Sequence, residues 1–89
     1  MKSICNKISM YNYALEILKK LPNSYSVMDD SFEGVILEVK EFQNAHIYVD
    51  MKTVEILTLN SEKEFEVKHN FNRSEISPIE VINIFTSLM

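Results

Sequence analysis

The segment Val35-Ile36-Leu37-Glu38-Val39-Lys40-Glu41-Phe42-Gln43-Asn44-Ala45-His46-Ile47-Tyr48-Val49-Asp50 decides how this chain folds. Val35, Leu37 and Val39 alternate with Ile36, Glu38 and Lys40. Past Gln43-Asn44 the same period resumes as Ala45, Ile47 and Val49 against His46, Tyr48 and Asp50. Successive side chains of a strand point to opposite faces, so the pattern predicts a hairpin with one apolar side. A third run, Thr53 to Leu59, follows too closely for any crossover helix and must return antiparallel around Asp50-Met51-Lys52. The loop Asn60-Ser61-Glu62-Lys63 then leads into a fourth strand, where Phe65, Val67, His69 and Phe71 alternate with Glu64, Glu66, Lys68 and Asn70. Ser24 to Met28 offers a short additional edge strand, joined to the rest by an Asp29-Asp30-Ser31 turn.

Outward from the sheet the period changes to that of a helix. Ile4, Ile8, Tyr11, Leu15 and Leu18 recur at alternating spacings of four and three, with Ala14, Ile17 and Leu21 widening the stripe. Ser3 or Asn6 is placed to cap the start. Pro22 enforces the end, because the residue before a proline is pushed out of the α region. Lys19 and Lys20 sit in the last turn, where cations suit the helix dipole. The pattern predicts a helix over about residues 5–21. A second helix is announced by the capping box of Ser77 and Glu80 with Pro78 at the first helical position, and by Ile76 and Val81 as a hydrophobic staple. Its apolar stripe is Val81, Ile82, Phe85, Leu88 and Met89, and it runs to the end of the sequence.

An antiparallel sheet with one apolar face needs a cover, and the two amphipathic helices are the candidates. The expected fold class is therefore α+β: one two-layer α-β-β-β-β-α domain over residues 1–89. Its sheet is a four-stranded antiparallel meander, five-stranded if the edge strand forms, covered on one face by the N- and C-terminal helices. A chain of 89 residues has room for a single core. Hydrophobic content of 46% and charged content of 25% are those of a folded globule rather than a disordered segment.

Thirteen acidic against nine basic residues give a formal charge of −4, which argues against a sequence-independent phosphate-backbone binder. The charge is uneven. Residues 1–21 hold Lys2, Lys7, Lys19 and Lys20 against Glu16, whereas residues 22–42 hold Asp29, Asp30, Glu33, Glu38 and Glu41 against Lys40. The first helix is basic and the sheet acidic. The abundance of Ile, Asn and Lys suggests AT-rich coding in a bacterium, its phage or a mobile element. One cysteine forms no internal disulfide, Met1-Lys2-Ser3 shows no signal-peptide pattern, and no apolar run nears the ~20 residues of a membrane helix. The expected location is the cytoplasm of a bacterial or phage-infected cell, with no membrane association.

No catalytic motif is present, and the expectation is that the protein is not an enzyme and needs no cofactor. Gly34 is the sole glycine, which eliminates P-loops, dinucleotide fingerprints and nucleophile elbows. Cys5 with His46 or His69 lacks a third member to make a nucleophile and base, and Cys5 reads as a small packing residue. Two histidines and one cysteine lack zinc-ligand spacing. Asp29, Asp30 and Glu33 do not match an EF-hand, so no metal site is expected. His69, alternating with Phe65, Val67 and Phe71, reads as an inward or sheet-margin histidine.

Glu64 and Glu66 project from one face of the fourth strand, which Glu38 is expected to share. Such a row is either the solvated side of a sheet or a protein-binding surface. Ile36, Phe42, His46 and Tyr48 are expected on that same face, with Leu57 if Val54 and Ile56 point inward. Apolar and aromatic residues rimmed by charge make a binding patch. The candidate partner-binding residues are therefore Glu38, Phe42, His46, Tyr48, Glu64 and Glu66.

The order helix, antiparallel strands, helix resembles the double-stranded-RNA-binding domain in topology. That family presents a lysine-rich start of its second helix to phosphates. Here the start is Ser77-Pro78-Ile79-Glu80, without a cation, and no direct nucleic-acid contact is expected. In size, acidity and lack of catalytic motifs the chain is similar to phage anti-CRISPR and other anti-defence proteins, and to immunity proteins that neutralise toxins. That resemblance implies an inhibitor occupying a larger protein, such as a nuclease or effector that normally receives nucleic acid, with carboxylates in place of phosphates. Glu38, Glu64 and Glu66 would pair with cations of the target, and Tyr48 and Phe42 would anchor. The alternatives are a toxin-neutralising immunity protein and a homodimeric structural or chaperone-like accessory protein that self-associates through its terminal helix or a sheet edge. Phe85, Leu88 and Met89 suit the latter; the expected state is monomer or homodimer.

Overall fold

The computed structural model describes residues 2–29 and 34–89, with side chains described for 7–27 and 34–89. The chain is α+β. Helix α1 (Lys2–Lys20) is followed by strands β1 (Ser24–Asp29), β2 (Gly34–Val39), β3 (Phe42–Val49), β4 (Thr53–Leu59) and β5 (Phe65–Asn72), a 3-10 turn (Arg73–Glu75) and helix α2 (Pro78–Thr86). The strands form one antiparallel meander in chain order, β1-β2-β3-β4-β5. The edge strand anticipated at Ser24 forms, so the sheet has five strands. Asp30, Ser31 and Glu33, in the anticipated acidic turn, lie outside the described residues.

Short polar side chains set the turns. Asp50 Oδ1 accepts the backbone N–H of Lys52 at 2.9 Å and of Thr53 at 2.6 Å, folding the β3–β4 connection. Asn60 Oδ1 does the same for Glu62 and Glu64 before β5, where Lys63 takes a left-handed φ of 64°. α1 stops before Pro22. Asn23 then adopts φ 60°, and Ser24 Oγ donates to the carbonyls of Leu21 and Leu18, satisfying acceptors freed at the helix end. The capping box of α2 is complete: Glu80 N–H donates to Ser77 Oγ at 3.2 Å and Ser77 N–H to Glu80 Oε1 at 3.2 Å. α2 ends at Thr86 and a turn finishes the chain.

The core lies between the helices and one sheet face. Val35, Leu37, Val39, Ala45, Ile47, Val49, Val54 and Ile56 meet Met10, Tyr13, Ala14, Ile17 and Leu21 of the first helical segment and Val81 and Phe85 of the second. Tyr13 Oη donates to the Ile76 carbonyl at 2.9 Å, tying α1 to the lead-in of α2. Ile76 and Val81 are both buried, as a staple requires.

Two features of α1 depart from the sequence reading. The helix begins at Lys2, so Ser3 and Asn6 lie within it rather than before it, as does Cys5, whose side chain is outside the described set. The buried stripe is Met10, Tyr13, Ala14, Ile17 and Leu21, while Ile8, Tyr11 and Leu15 face solvent. Leu18 packs against the core and Ala14, Ile17 and Leu21 are buried as expected, so the sequence stripe is a genuine helical one whose Ile8, Tyr11 and Leu15 edge is rotated away from the core. Ile4 lies outside the described side chains.

Candidate protein-binding face

The face of the sheet turned away from the helices is built by cross-strand pairing, because directly paired antiparallel residues project to the same side. Ile36 and Glu38 of β2 pair with Val27 and Tyr25 of β1. Ile36 also pairs with Tyr48, Tyr48 with Glu55, and His46 with Leu57. The structure thus brings together Glu38, His46 and Tyr48, three of the six anticipated residues. Ile36 and Leu57 are also where the alternation placed them.

The other three are elsewhere, and two β-bulges are the reason. Between Leu37↔Ile47 and Val39↔Phe42 the β3 side advances five residues while β2 advances two, an odd offset that turns Phe42 to the core side. There its ring packs edge-on against Phe85 at 5.7 Å. Phe42 is therefore a core residue and no anchor for a partner on the outer face. The hairpin turn falls at Lys40-Glu41, and Gln43 and Asn44 belong to β3. Gln43 Nε2 reaches back to the Val39 carbonyl at 2.8 Å across the irregular stretch.

The second bulge lies on β5. Ile56 pairs with His69 but Leu57 pairs with Val67, leaving Lys68 without an opposite residue. Beyond it the alternation inverts. Glu66, opposite Thr58, lies on the helix side of the sheet, and by the same alternation Glu64 does not belong to the outer face either. Both are exposed to solvent, and neither shares a face with Glu38. Phe65 and Val67 take the outer positions instead, opposite Leu59 and Leu57. His69 and Phe71 remain on the helix side, ring on ring at 5.9 Å.

The resulting outer face is more apolar than the sequence suggested. Tyr25, Val27, Leu59, Phe65 and Val67 lie on it with 37–50% of their surface exposed, half of the exposed large hydrophobic residues among those described. Tyr25 and Val27 were missed because β1 had to be paired before their direction was defined. Phe65 and Val67 were missed because nothing in the sequence marks Lys68 as a bulge.

Polar groups on this face are held by specific contacts. Tyr25 Oη donates to Glu38 Oε2 at 2.6 Å, which raises the Tyr25 pKa above its usual 10.0. Asn70 Nδ2 donates to Glu55 Oε2 at 3.2 Å. The His46 imidazole lies against the Phe65 ring at a centroid distance of 4.4 Å. Burial lowers the His46 pKa below 6.5, against the opposing pull of Glu38. Its Nδ1 is buried without a hydrogen-bond partner, the mark of an imidazole held by apolar packing. Tyr48 lies across Gly34 so closely that a β-carbon there would stand 2.5 Å from the phenol Cζ, which accounts for the chain's one glycine.

Among the described residues no group of three or more His, Cys, Asp or Glu side chains is placed to hold a metal ion, and no helix is long and apolar enough to cross a membrane. No protein-family model matches the sequence, and neither curated proteins nor solved structures provide a significant match.

Proposed function

We propose that this protein is a small acidic, non-catalytic binding module that docks the outer face of its sheet onto a larger protein. The carrying observation is that Tyr25 and Val27 on β1 and Leu59, Phe65 and Val67 on β4 and β5 are exposed on one face of the sheet, towards its two edges, with the Glu38 and Glu55 carboxylates between them. A rigid sheet loses little conformational freedom on docking, and exposed aromatic and branched side chains supply the desolvated centre of an interface. Glu38, His46 and Tyr48 lie on the same face and would contribute to it. Phe65 and Val67 take the anchoring role first given to Phe42.

In its more specific form the reading is an inhibitor that occludes a bacterial nucleic-acid-handling protein in the manner of anti-defence proteins. The overall charge of −4 supports it, since a negative ligand is steered to a surface that ordinarily receives phosphates. The carboxylates offered would be Glu38 and Glu55, and apolar contact would carry more of the affinity than a row of charges.

The test is capture of a partner from a lysate of the source cells, followed by titration calorimetry on the identified protein. A Phe65→Ser/Val67→Ser variant that keeps wild-type circular dichroism should bind at least ~10-fold more weakly, as loss of a two-anchor hot spot requires. Unchanged affinity would remove the outer face from the mechanism.

A second reading, a homodimer, is favoured by the solvent-facing stripe of Ile8, Tyr11 and Leu15 on α1. The version built on the terminal helix is weaker, because Phe85 is fully buried in the chain's own core. Sedimentation equilibrium at micromolar concentration separates the two readings: a stable dimer broken by Leu15→Glu supports self-association.

A further inference from the structure

On the helix side, away from the outer face, a cleft of about 500 Å³ opens between α1, the β3–β4 turn and the 3-10 turn that follows β5. Its walls carry Ser9, Tyr13, Lys52, Asn72, Arg73 and Ser74. Two of these are cations and none is acidic, in a protein whose formal charge is −4. We propose that this cleft binds the phosphate group of a small phosphorylated organic molecule.

Arg73 is the centre of the argument. Its Nη1 donates to Ser9 Oγ at 2.8 Å and its Nη2 to the Met51 carbonyl at 2.7 Å, while its backbone N–H donates to the Lys52 carbonyl at 2.8 Å. The guanidinium carbon lies 5.8 Å from the centre of the Tyr13 ring. These contacts orient the group, and among the described residues the other three of its five N–H donors have no acceptor. One of them, Nε–H, is buried with no partner. Neither Arg73 nor Lys52 has a carboxylate within ion-pair distance among the described residues. The acidic groups of the adjoining segments are otherwise engaged: Asp50 accepts the N–H groups of Lys52 and Thr53, Glu75 accepts from Asn72, and Glu80 closes the α2 cap.

An oriented guanidinium, an ammonium and two hydroxyls match the three terminal oxygens and near-double charge of a phosphate monoester better than the two oxygens of a carboxylate. The cleft falls within the usual range for small-molecule sites and exceeds a bare phosphate ion. The Tyr13 ring and Met51 offer an apolar wall to an organic substituent.

The experiment is an amide NMR titration of the intact protein with inorganic phosphate, phenyl phosphate and benzoate. Phenyl phosphate should give saturable shifts confined to the amides of Ser9, Met51, Lys52, Arg73 and Ser74, with phosphate weaker and benzoate weakest. If phosphate equals or exceeds phenyl phosphate, the free ion is the ligand and the organic part of the proposal fails. Lys52→Gln, an exposed change, and Arg73→Lys, which keeps the charge but loses the planar fork, should each weaken phenyl phosphate by about tenfold. Shifts centred on Lys19 and Lys20, no saturation with any probe, or wild-type affinity in Lys52→Gln would overturn the assignment. Each variant is checked first for a wild-type amide spectrum outside the cleft. An Arg73→Lys chain that fails this check leaves the decision to Lys52→Gln.

Discussion

The rings of His46 and Phe65 stand 4.4 Å apart although β4 runs between their strands, so both project from the outer face of the sheet. An unbroken alternation along β5 would have put Phe65 on the opposite side. This contact makes His46 a reporter for the whole face.

His46 should titrate below 6.5 in a histidine NMR titration, because burial disfavours its charged form. The unfolded chain then binds more protons than the folded one as pH falls below 6.5. The contribution of a neutral His46 to stability is complete above that pH and is lost beneath it. His46→Phe should flatten the stability profile just below pH 6.5; a profile as steep as that of the wild type would show that this imidazole is not held neutral.

Deleting Lys68 removes the residue without a cross-strand partner. The β5 ladder then runs without interruption and keeps the pairs Leu57↔Val67, Thr58↔Glu66 and Leu59↔Phe65, so Phe65 and Val67 stay on the outer face and Glu66 on the helix side. Persistence of the nuclear Overhauser contact between His46 and Phe65 in the deletion variant checks this. Its loss would mean that Lys68 does more than occupy the unpaired position.

Phe85 is fully buried and packs against the Phe42 ring at 5.7 Å. Phe85→Ala should cost about 3–5 kcal/mol in urea denaturation, the usual range for removing a buried aromatic side chain. A domain of this size has only ~5–15 kcal/mol of stability, so the change removes a large share of it. A loss under 1 kcal/mol would contradict the packing of α2.

Gly34→Ala drives a methyl group into the Tyr48 ring. The expected loss is ~1–3 kcal/mol, as for other overpacking changes. In a Tyr48→Ala background the same substitution should be neutral or stabilising, because the obstacle is gone and alanine is the stiffer residue. A double-mutant cycle with no coupling would refute the contact.

The Tyr13 phenol is pushed up to about 12, chiefly by burial, with Arg73 pulling the other way. A raised phenol pKa means that the folded state holds its proton longer than the unfolded chain. The associated stability is present below pH 10 and is lost as pH climbs from 10 toward 12. In an ultraviolet tyrosine titration, Tyr13→Phe should remove a phenol that ionises near pH 12.

Much of the architecture was legible because it rests on local chemistry. The Ser77-Pro78-Ile79-Glu80 cap, the Asp50 and Asn60 turns and the period-two runs of β2, β3 and β4 each act over a few residues, and each stands where the sequence placed it, whereas the run of β5 is broken by its bulge. The helix stripe was readable as a stripe, but its rotation was not. Spacing gives a face, and only packing against the sheet selects Met10, Ala14 and Ile17 over Ile8, Tyr11 and Leu15.

The sequence by itself determined the class of fold, the meander order and the acidic balance, since turn residues, periodicity and charge are properties of neighbours along the chain. Only the tertiary structure decided which residues share the outer face, because side-chain direction depends on pairing parity and a single extra residue reverses it. Phe42 went to the core and Glu66 to the helix side through such offsets, while Phe65 and Val67 came out beside His46. The cleft around Arg73 is likewise a product of the fold, joining Ser9 to a guanidinium 64 residues away.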